Sequence, residues 1–295
     1  MKRFTLADGM QVAAPSEVEA RIIDREVTEL RTYERNGIHV NDGDVIIDAG
    51  ANAGVFAARM LQRHKVLRMW CFEPIPAVFE MLEANVAQWR GDSVVRTFNI
   101  ALGSAPGEAV FEFDPQATFA ATMEPEAVKQ SYVPAVDPGE FARAALGDLR
   151  RSGLLPGGAE SLLSGMTRWP LVGSLLTGAM DRARRAHERG AAARTQHIRC
   201  PVQTLSQVIT DEGISHINLL KIDVEGAEEA VLQGILDAHW PHIRQLVVEL
   251  HDVDGRRERV KTRLEALGFR VTVLREDWAL HAIAGIWTLY ATRAA

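Results

Sequence analysis

Val45-Ile46-Ile47-Asp48-Ala49-Gly50-Ala51-Asn52-Ala53-Gly54 is followed further on by Cys71-Phe72-Glu73-Pro74, and the architecture can be read from these two stretches. The first apolar run ends at an acid and passes into a glycine loop. A helix-compatible segment follows, and then a second apolar run that also ends at an acid. This is the pattern of strand, loop, helix and strand, with a carboxylate at the C-terminal edge of each strand. Parallel strands covered on both faces read as apolar runs, and ligands of open α/β sheets bind at that edge. The spacing suits a nucleoside ligand.

The pattern then repeats. Helices are expected over 55–64 and 76–89, the second with Pro76 in its first turn, and strands over 67–72 and 94–99. A further strand is expected over 108–113. Strand 219–223 runs into a helix over 227–236, strand 244–250 precedes a helix over 256–267 stopped by Gly268, and the runs 269–274 and 286–291 close the sheet as an antiparallel pair. Alternating strands and helices predict an α/β fold with a doubly wound sheet.

Residues 1–40 read as an N-terminal extension. A hairpin over 4–13 turns at Asp8-Gly9, and a helix capped by Ser16 and Glu19 runs to about Asn36 with Gly37 as its stop. Residues 115–196 break the rhythm. A structureless loop of this length is implausible in a compact domain, so the segment is expected to be an inserted helical lid, with helical patterns over 141–150, 159–165 and 171–189. The core is then 41–114 together with 197–295.

Composition sets outer limits. The 295 residues are 47% hydrophobic and 24% charged, with a formal net charge of -6, which argues against general nucleic-acid binding. The two cysteines, Cys71 and Cys200, have no metal spacing and form no disulfide framework, which points to a reducing cytoplasm. No apolar stretch is long enough for a signal peptide or a membrane span. From Phe141 to Arg199, ten arginines stand against four acids, a basic element on an acidic chain.

The glycine loop narrows the ligand. A dinucleotide site needs G-x-G-x-x-G to cradle a pyrophosphate, and Gly50-Ala51-Asn52-Ala53-Gly54 lacks it, which argues against a nicotinamide dehydrogenase. S-adenosylmethionine (SAM) fits better. Gly50 and Gly54 would let its methionine end approach the backbone, Asp48 would face its positive charges, and Glu73 would accept hydrogen bonds from the ribose hydroxyls. The plain alternative is that these acids only cap helices.

These motifs occur together with Asn99-Ile100-Ala101-Leu102, with Leu220-Lys221-Ile222-Asp223-Val224-Glu225-Gly226-Ala227-Glu228, and with Val248-Glu249-Leu250-His251. In that order they closely resemble the FkbM-type SAM-dependent methyltransferases, over about residues 26–113 and 202–293. The stretch from Trp240 to Asp252 looks most like members associated with polyketide and nonribosomal peptide assembly, which methylate hydroxyl oxygens. The resemblance implies a Rossmann-like class I methyltransferase sheet. It also implies that Asp48, Gly50, Asn52 and Gly54 surround the methionine end. Glu73 beside Pro74 would hold the ribose, and Asn99, Ile100 and Ala101 would flank the adenine. Tyr33, on the N-terminal helix, would close over the methionine carboxylate, and Asp223 lies at the same edge.

Methylating an alkyl hydroxyl requires removing a proton from a weak acid. His251 is the expected general base because its unperturbed pKa lies near neutrality, with Glu225 or Glu249 to orient it. Asp223 and Glu249, at two successive strand ends, are also candidate ligands for Mg2+ or another divalent cation, although no motif demands one. Arg182, Arg184 and Arg185, in a run with Arg189 and Arg194, form either a solvated helix face or a dock for an acidic acyl carrier protein. The acceptor is expected to be a polyketide-like hydroxyl, free or carrier-bound. The competing readings are a sugar hydroxyl, an amine, and a non-catalytic SAM-binding scaffold.

Overall fold

The computed structural model describes residues 1–115, 117–125, 194–275 and 285–293. Its centre is a seven-stranded sheet. β3 (Val45–Ala49) lies between β4 (Arg68–Phe72) and β10 (Leu219–Ile222). Outside these lie β5 (Val94–Phe98) on one side and β11 (Gln245–His251) on the other. These five strands are parallel. β13 (Ile286–Thr292) runs antiparallel between β11 and β12 (Arg270–Leu274), as the expected closing pair. The chain walks outward from β3 to β5 and then restarts on the other side at β10. The switch point therefore lies between β3 and β10, where an open sheet leaves a ligand crevice.

Side-chain alternation divides the packing on the central sheet between its two faces. Ile46, Met69, Leu219 and Val247 pack against α1 (Glu17–Thr28), α2 (Val55–Arg63) and α3 (Pro76–Trp89), through residues such as Val27, Phe56, Met60 and Leu82. Ile47, Phe72, Ile222 and Val248 face α4 (Leu205–Asp211), α5 (Glu228–Gln233) and α6 (Arg256–Ala266), through Val208, Leu232 and Leu264. Apolar runs were required here because both faces of the sheet are covered.

Three expectations are corrected. The first helix stops at Thr28 rather than near Asn36. Arg31 takes a positive φ of 49°, and the Leu30 and Thr32 N–H groups close the helix end on the carbonyls of Arg25 and Glu26. The capping pair is half formed, with the Ser16 side chain accepting from the Glu19 N–H, while the buried Glu19 carboxylate takes the Thr118 hydroxyl. The segment after Pro115 begins as a strand, β8 (Ala117–Thr122), and not as a helix. It joins β6 (Ala101–Leu102), β7 (Gly107–Asp114) and β9 (Gln196–Gln203) in a second, four-stranded sheet. The helical patterns expected over 141–150, 159–165 and 171–189, and so the lid itself, lie outside the described residues.

The N-terminal hairpin, β1 (Arg3–Thr5) with β2 (Gln11–Ala13), is tied into the core. Asn85 Nδ2 donates to the carbonyls of Ala13 and Ala53, and its Oδ1 accepts the Ala13 N–H at 2.7 Å. Among the described residues no helix is long and apolar enough to cross a membrane.

Candidate active site

Parallel register brings the strand ends level. Asp48 pairs with Cys71 on one side and with Lys221 on the other, and Lys221 pairs with Val247. Lys221 was absent from the expected site, and it lies at its centre. Only 3% exposed, it donates to Asp48 Oδ1 at 3.0 Å and to the Gly50 carbonyl at 3.1 Å, and lies 3.4 Å from Asp223 Oδ2. Burial pushes its ammonium down, but the charges of Asp48, Asp223 and Glu249 outweigh that and its pKa is raised. The sequence carried one signal for this, a charge inside the otherwise apolar run Leu219-Leu220-Lys221-Ile222.

Asp48 is fully buried, and the desolvation raises its pKa against the opposing pull of Lys221. Its partner within the fold is Lys221. Its Oδ2 is buried with no hydrogen-bond partner among the described residues, an orphaned acceptor that fits the cationic end of SAM.

The glycines are also explained first by the fold. Gly50 has a φ of 81°, and a Cβ there would lie 1.7 Å from the Asp223 carbonyl oxygen. Gly54 has a φ of 78°, and a Cβ there would lie 2.6 Å from Leu82 Cδ1, so a side chain would push the loop off α3. Both positions therefore close the loop against β10 and α3, whether or not a ligand approaches. Asn52 also takes a left-handed φ, 48°, and its Oδ1 accepts the Ala53 N–H.

Glu73 closes β4 as expected. Its Oε1 accepts the Ile75 N–H at 2.8 Å. Burial drives its carboxyl up to about 7, against the backbone N–H groups of Ile75 and Asn52. Asn99 Nδ2 donates to the carbonyls of Glu73 and Pro74, both at 2.9 Å, and the Cys200 thiol donates to Pro74 as well. Asn99 thus locks the turn after β4. Ile100 packs against the core on the α4–α6 face, and Ala101 is buried in β6.

A ribose diol donates hydrogen bonds, so it favours the ionised form of Glu73 and binding should release a proton. The affinity for S-adenosylhomocysteine is accordingly expected to rise by about tenfold between pH 6 and pH 8, around the carboxyl's value near 7. Glu73→Gln should flatten this dependence in calorimetry. A wild-type affinity that does not change over this range would remove Glu73 from the ribose site.

At the other end, His251 is 3% exposed and its Nε2 lies 2.9 Å from Glu225 Oε2. Burial pushes the imidazole down. The Glu225 hydrogen bond and the charges of Glu225, Glu228 and Asp223 more than compensate, and its pKa rises to about 9. His251 is therefore held as imidazolium at neutral pH, which corrects the expectation of a base poised near neutrality. Glu228, given no role of its own in the sequence motif, is a buried acid pushed up to about 7 by desolvation.

Of the two carboxylates expected to orient His251, Glu225 does so, while Glu249 Oε1 accepts the Tyr33 hydroxyl at 2.5 Å. Tyr33 lies beyond the end of the first helix rather than on it. It is buried edge-on against Phe56, with ring centroids 4.9 Å apart. Its hydroxyl is given to Glu249.

The expected metal pair is corrected on the same geometry. Asp223 faces the Lys221 ammonium, and Glu249 is held by Tyr33 and by the charge of Lys221. A dication between them would have to displace a buried ammonium, so the donor set does not fit one. Arg182, Arg184 and Arg185 lie outside the described residues. Arg194, from the same run, is bound to Asp114, with Nη2 2.7 Å from Oδ2.

The family model of the methyltransferase FkbM domain matches residues 158–271. The chain is 34% identical over 297 residues to 31-O-demethyl-FK506 methyltransferase FkbM of Streptomyces tacrolimicus, spanning 100% of this chain and 98% of that protein. It is 29% identical to methyltransferase sdnD of Sordaria araneosa, over 92% of this chain and 91% of that one. It is also 30% identical to part of the AMB antimetabolite synthetase AmbE of Pseudomonas aeruginosa, over 92% of this chain and 12% of the synthetase.

Proposed function

The chain belongs to the FkbM family of SAM-dependent methyltransferases, and on that premise we propose that it methylates a hydroxyl oxygen of a polyketide-like metabolite. The observation that carries the reading is the pairing of buried His251 with half-buried Glu225 at the same sheet edge as Asp48 and Glu73. A hydroxyl acceptor needs its proton removed, and an imidazole backed by a carboxylate is suited to that. The Streptomyces relative is named for a 31-O-demethyl substrate, which supports an oxygen acceptor.

When bound, SAM would supply an electrophilic methyl group on sulfur. Asp48 and the loop around Gly50 would hold its amino-acid end, and Glu73 would hold its ribose. His251 acts in its neutral form. With Nε2–H donated to Glu225, Nδ1 carries the lone pair that takes the hydroxyl proton, and Glu225 stabilises the imidazolium that results. The acceptor oxygen is thereby made nucleophilic.

The acceptor is presented either free or on an acyl carrier protein, and Arg182, Arg184 and Arg185 are the residues proposed to dock the carrier. Intact-mass analysis of free and carrier-bound hydroxyl substrates with SAM tests the whole reading. A gain of one methyl group on oxygen is expected, unaffected by EDTA. Arg-to-Ala changes at the three positions should slow only the carrier-bound substrate, more so at low salt. Methylation of amines alone would overturn the acceptor assignment, and equal rates on both substrates in the Arg variants would remove the carrier.

A further inference from the structure

Thr122 and Arg256 have no place in the donor site or among the groups that meet the acceptor, yet both reach the loop that carries Glu225. Thr122 closes β8 and is buried. Its hydroxyl donates to the Glu225 carbonyl and accepts the Glu124 N–H at 2.9 Å. Arg256 opens α6, also buried. Its Nη1 donates to the Gly226 carbonyl and lies 3.5 Å from Glu228 Oε2, and its Nη2 donates to Glu124 Oε2 at 3.2 Å.

The turn between them is unusual. Glu225 and Gly226 take successive positive φ values of 51° and 103°. A glutamate rarely settles in the left-handed region unless its surroundings hold it there. Here the two successive carbonyls of the turn each receive a donor from a distant element, and Glu124 links the two donors. The turn in turn sets the direction of the Glu225 side chain, which ends 2.9 Å from His251 Nε2. Among the described residues, the charged groups that face His251 include Glu225, Glu228 and Asp223, with Arg256 behind Glu228.

We propose that Thr122, seconded by Arg256, is a positioning residue for methyl transfer. Its hydroxyl fixes the Glu225–Gly226 turn so that Glu225 meets His251, which couples the strand leading toward residues 126–193 to the acceptor end of the site. The inference rests on the reading of His251 as the base and assigns the support behind it. Removing the hydroxyl takes away its hydrogen bond to the Glu225 carbonyl and frees the turn to swing Glu225 away.

Thr122→Val and Thr122→Ser test it in the full-length enzyme. In the valine variant kcat should fall by about ten- to a hundredfold, with affinity for S-adenosylhomocysteine within about twofold of wild type. Serine should restore the rate. NMR titration of the His251 ring should show its pKa lowered in the valine variant and restored by serine. On a Glu225→Gln background, Thr122→Val should add no further loss.

A valine variant with wild-type kcat and an unmoved His251 titration would overturn the proposal, as would an equal loss on the Glu225→Gln background. If the valine variant fails to fold, Arg256→Lys is read by the same measurements. Should His251→Gln turn over at the wild-type rate, the base reading falls on its own, and the His251 titration in Thr122→Val then decides the positioning role.

Discussion

His251→Gln is expected to slow methyl transfer by about 10²- to 10⁴-fold while leaving S-adenosylhomocysteine affinity almost unchanged. Glutamine retains a donor for Glu225 Oε2 and much of the ring's volume, so the buried site keeps its packing, but it cannot take up a proton. The pH dependence sharpens the test. Only neutral imidazole can act, and the ring's pKa is pushed up to about 9, so the rate should rise with pH toward that value. Glu225→Gln removes the hydrogen-bonding charge that raises the pKa, and the limb should move toward the ordinary histidine value of about 6.5.

Stability follows with a definite sign. A histidine whose folded pKa is raised stabilises the fold fully below about pH 6.5, and that contribution is lost as pH rises through about 9. Maximal turnover and maximal stability are therefore expected at opposite ends of this window. Stopped-flow or discontinuous assays with a hydroxyl acceptor, paired with calorimetric binding, separate the chemical step from donor binding. A His251→Gln enzyme with full kcat would remove His251 from the chemistry. Loss of S-adenosylhomocysteine binding would move it into the donor site.

The strands of the central sheet were legible because covering both faces demands apolar runs such as Val45-Ile46-Ile47. Local patterning could not reveal what depends on distant partners. Residues 29–36 are helix-compatible, yet the helix ends at Thr28 so that Tyr33 can turn inward to Glu249, which is 216 residues away. Strand β8 owes its conformation to pairing with β7, and nothing in its alanine-rich sequence announces that partner. The position of His251 could be read from the strand-end pattern, but its charge could not, because that depends on how closely Glu225, Glu228 and Asp223 gather around it. The pairing of Lys221 with Asp48 likewise needed the strand order, in which β10 lies directly beside β3.

That ion pair carries the largest expected effect on stability. Lys221→Met should reduce the free energy of unfolding by about 3–5 kcal/mol, the usual consequence of removing one partner of a buried pair. Methionine matches the lysine stem, whose ammonium lies 5.3 Å from the centre of the Tyr33 ring and 5.6 Å from that of Phe56, so cavity formation is a minor part of the loss. The damage comes from the charges left behind. Asp48 is fully buried, and Asp223 and Glu249 share the same ammonium, so three carboxylates would lose the cation between them. The Gly50 carbonyl would also lose its donor, loosening the glycine loop, and binding of SAM should weaken with it. Neutralising the acid as well, in Lys221→Met with Asp48→Asn, removes the worst uncompensated charge and should recover part of the loss. Residues in contact couple in this way, and the recovery measures the coupling directly. Urea unfolding of the two single variants and the double variant provides the cycle, with the midpoints compared at matched slopes. A Lys221→Met protein within about 1 kcal/mol of wild type would show that Lys221 does not hold the centre of the sheet together, since an exposed pair would lose no more than that.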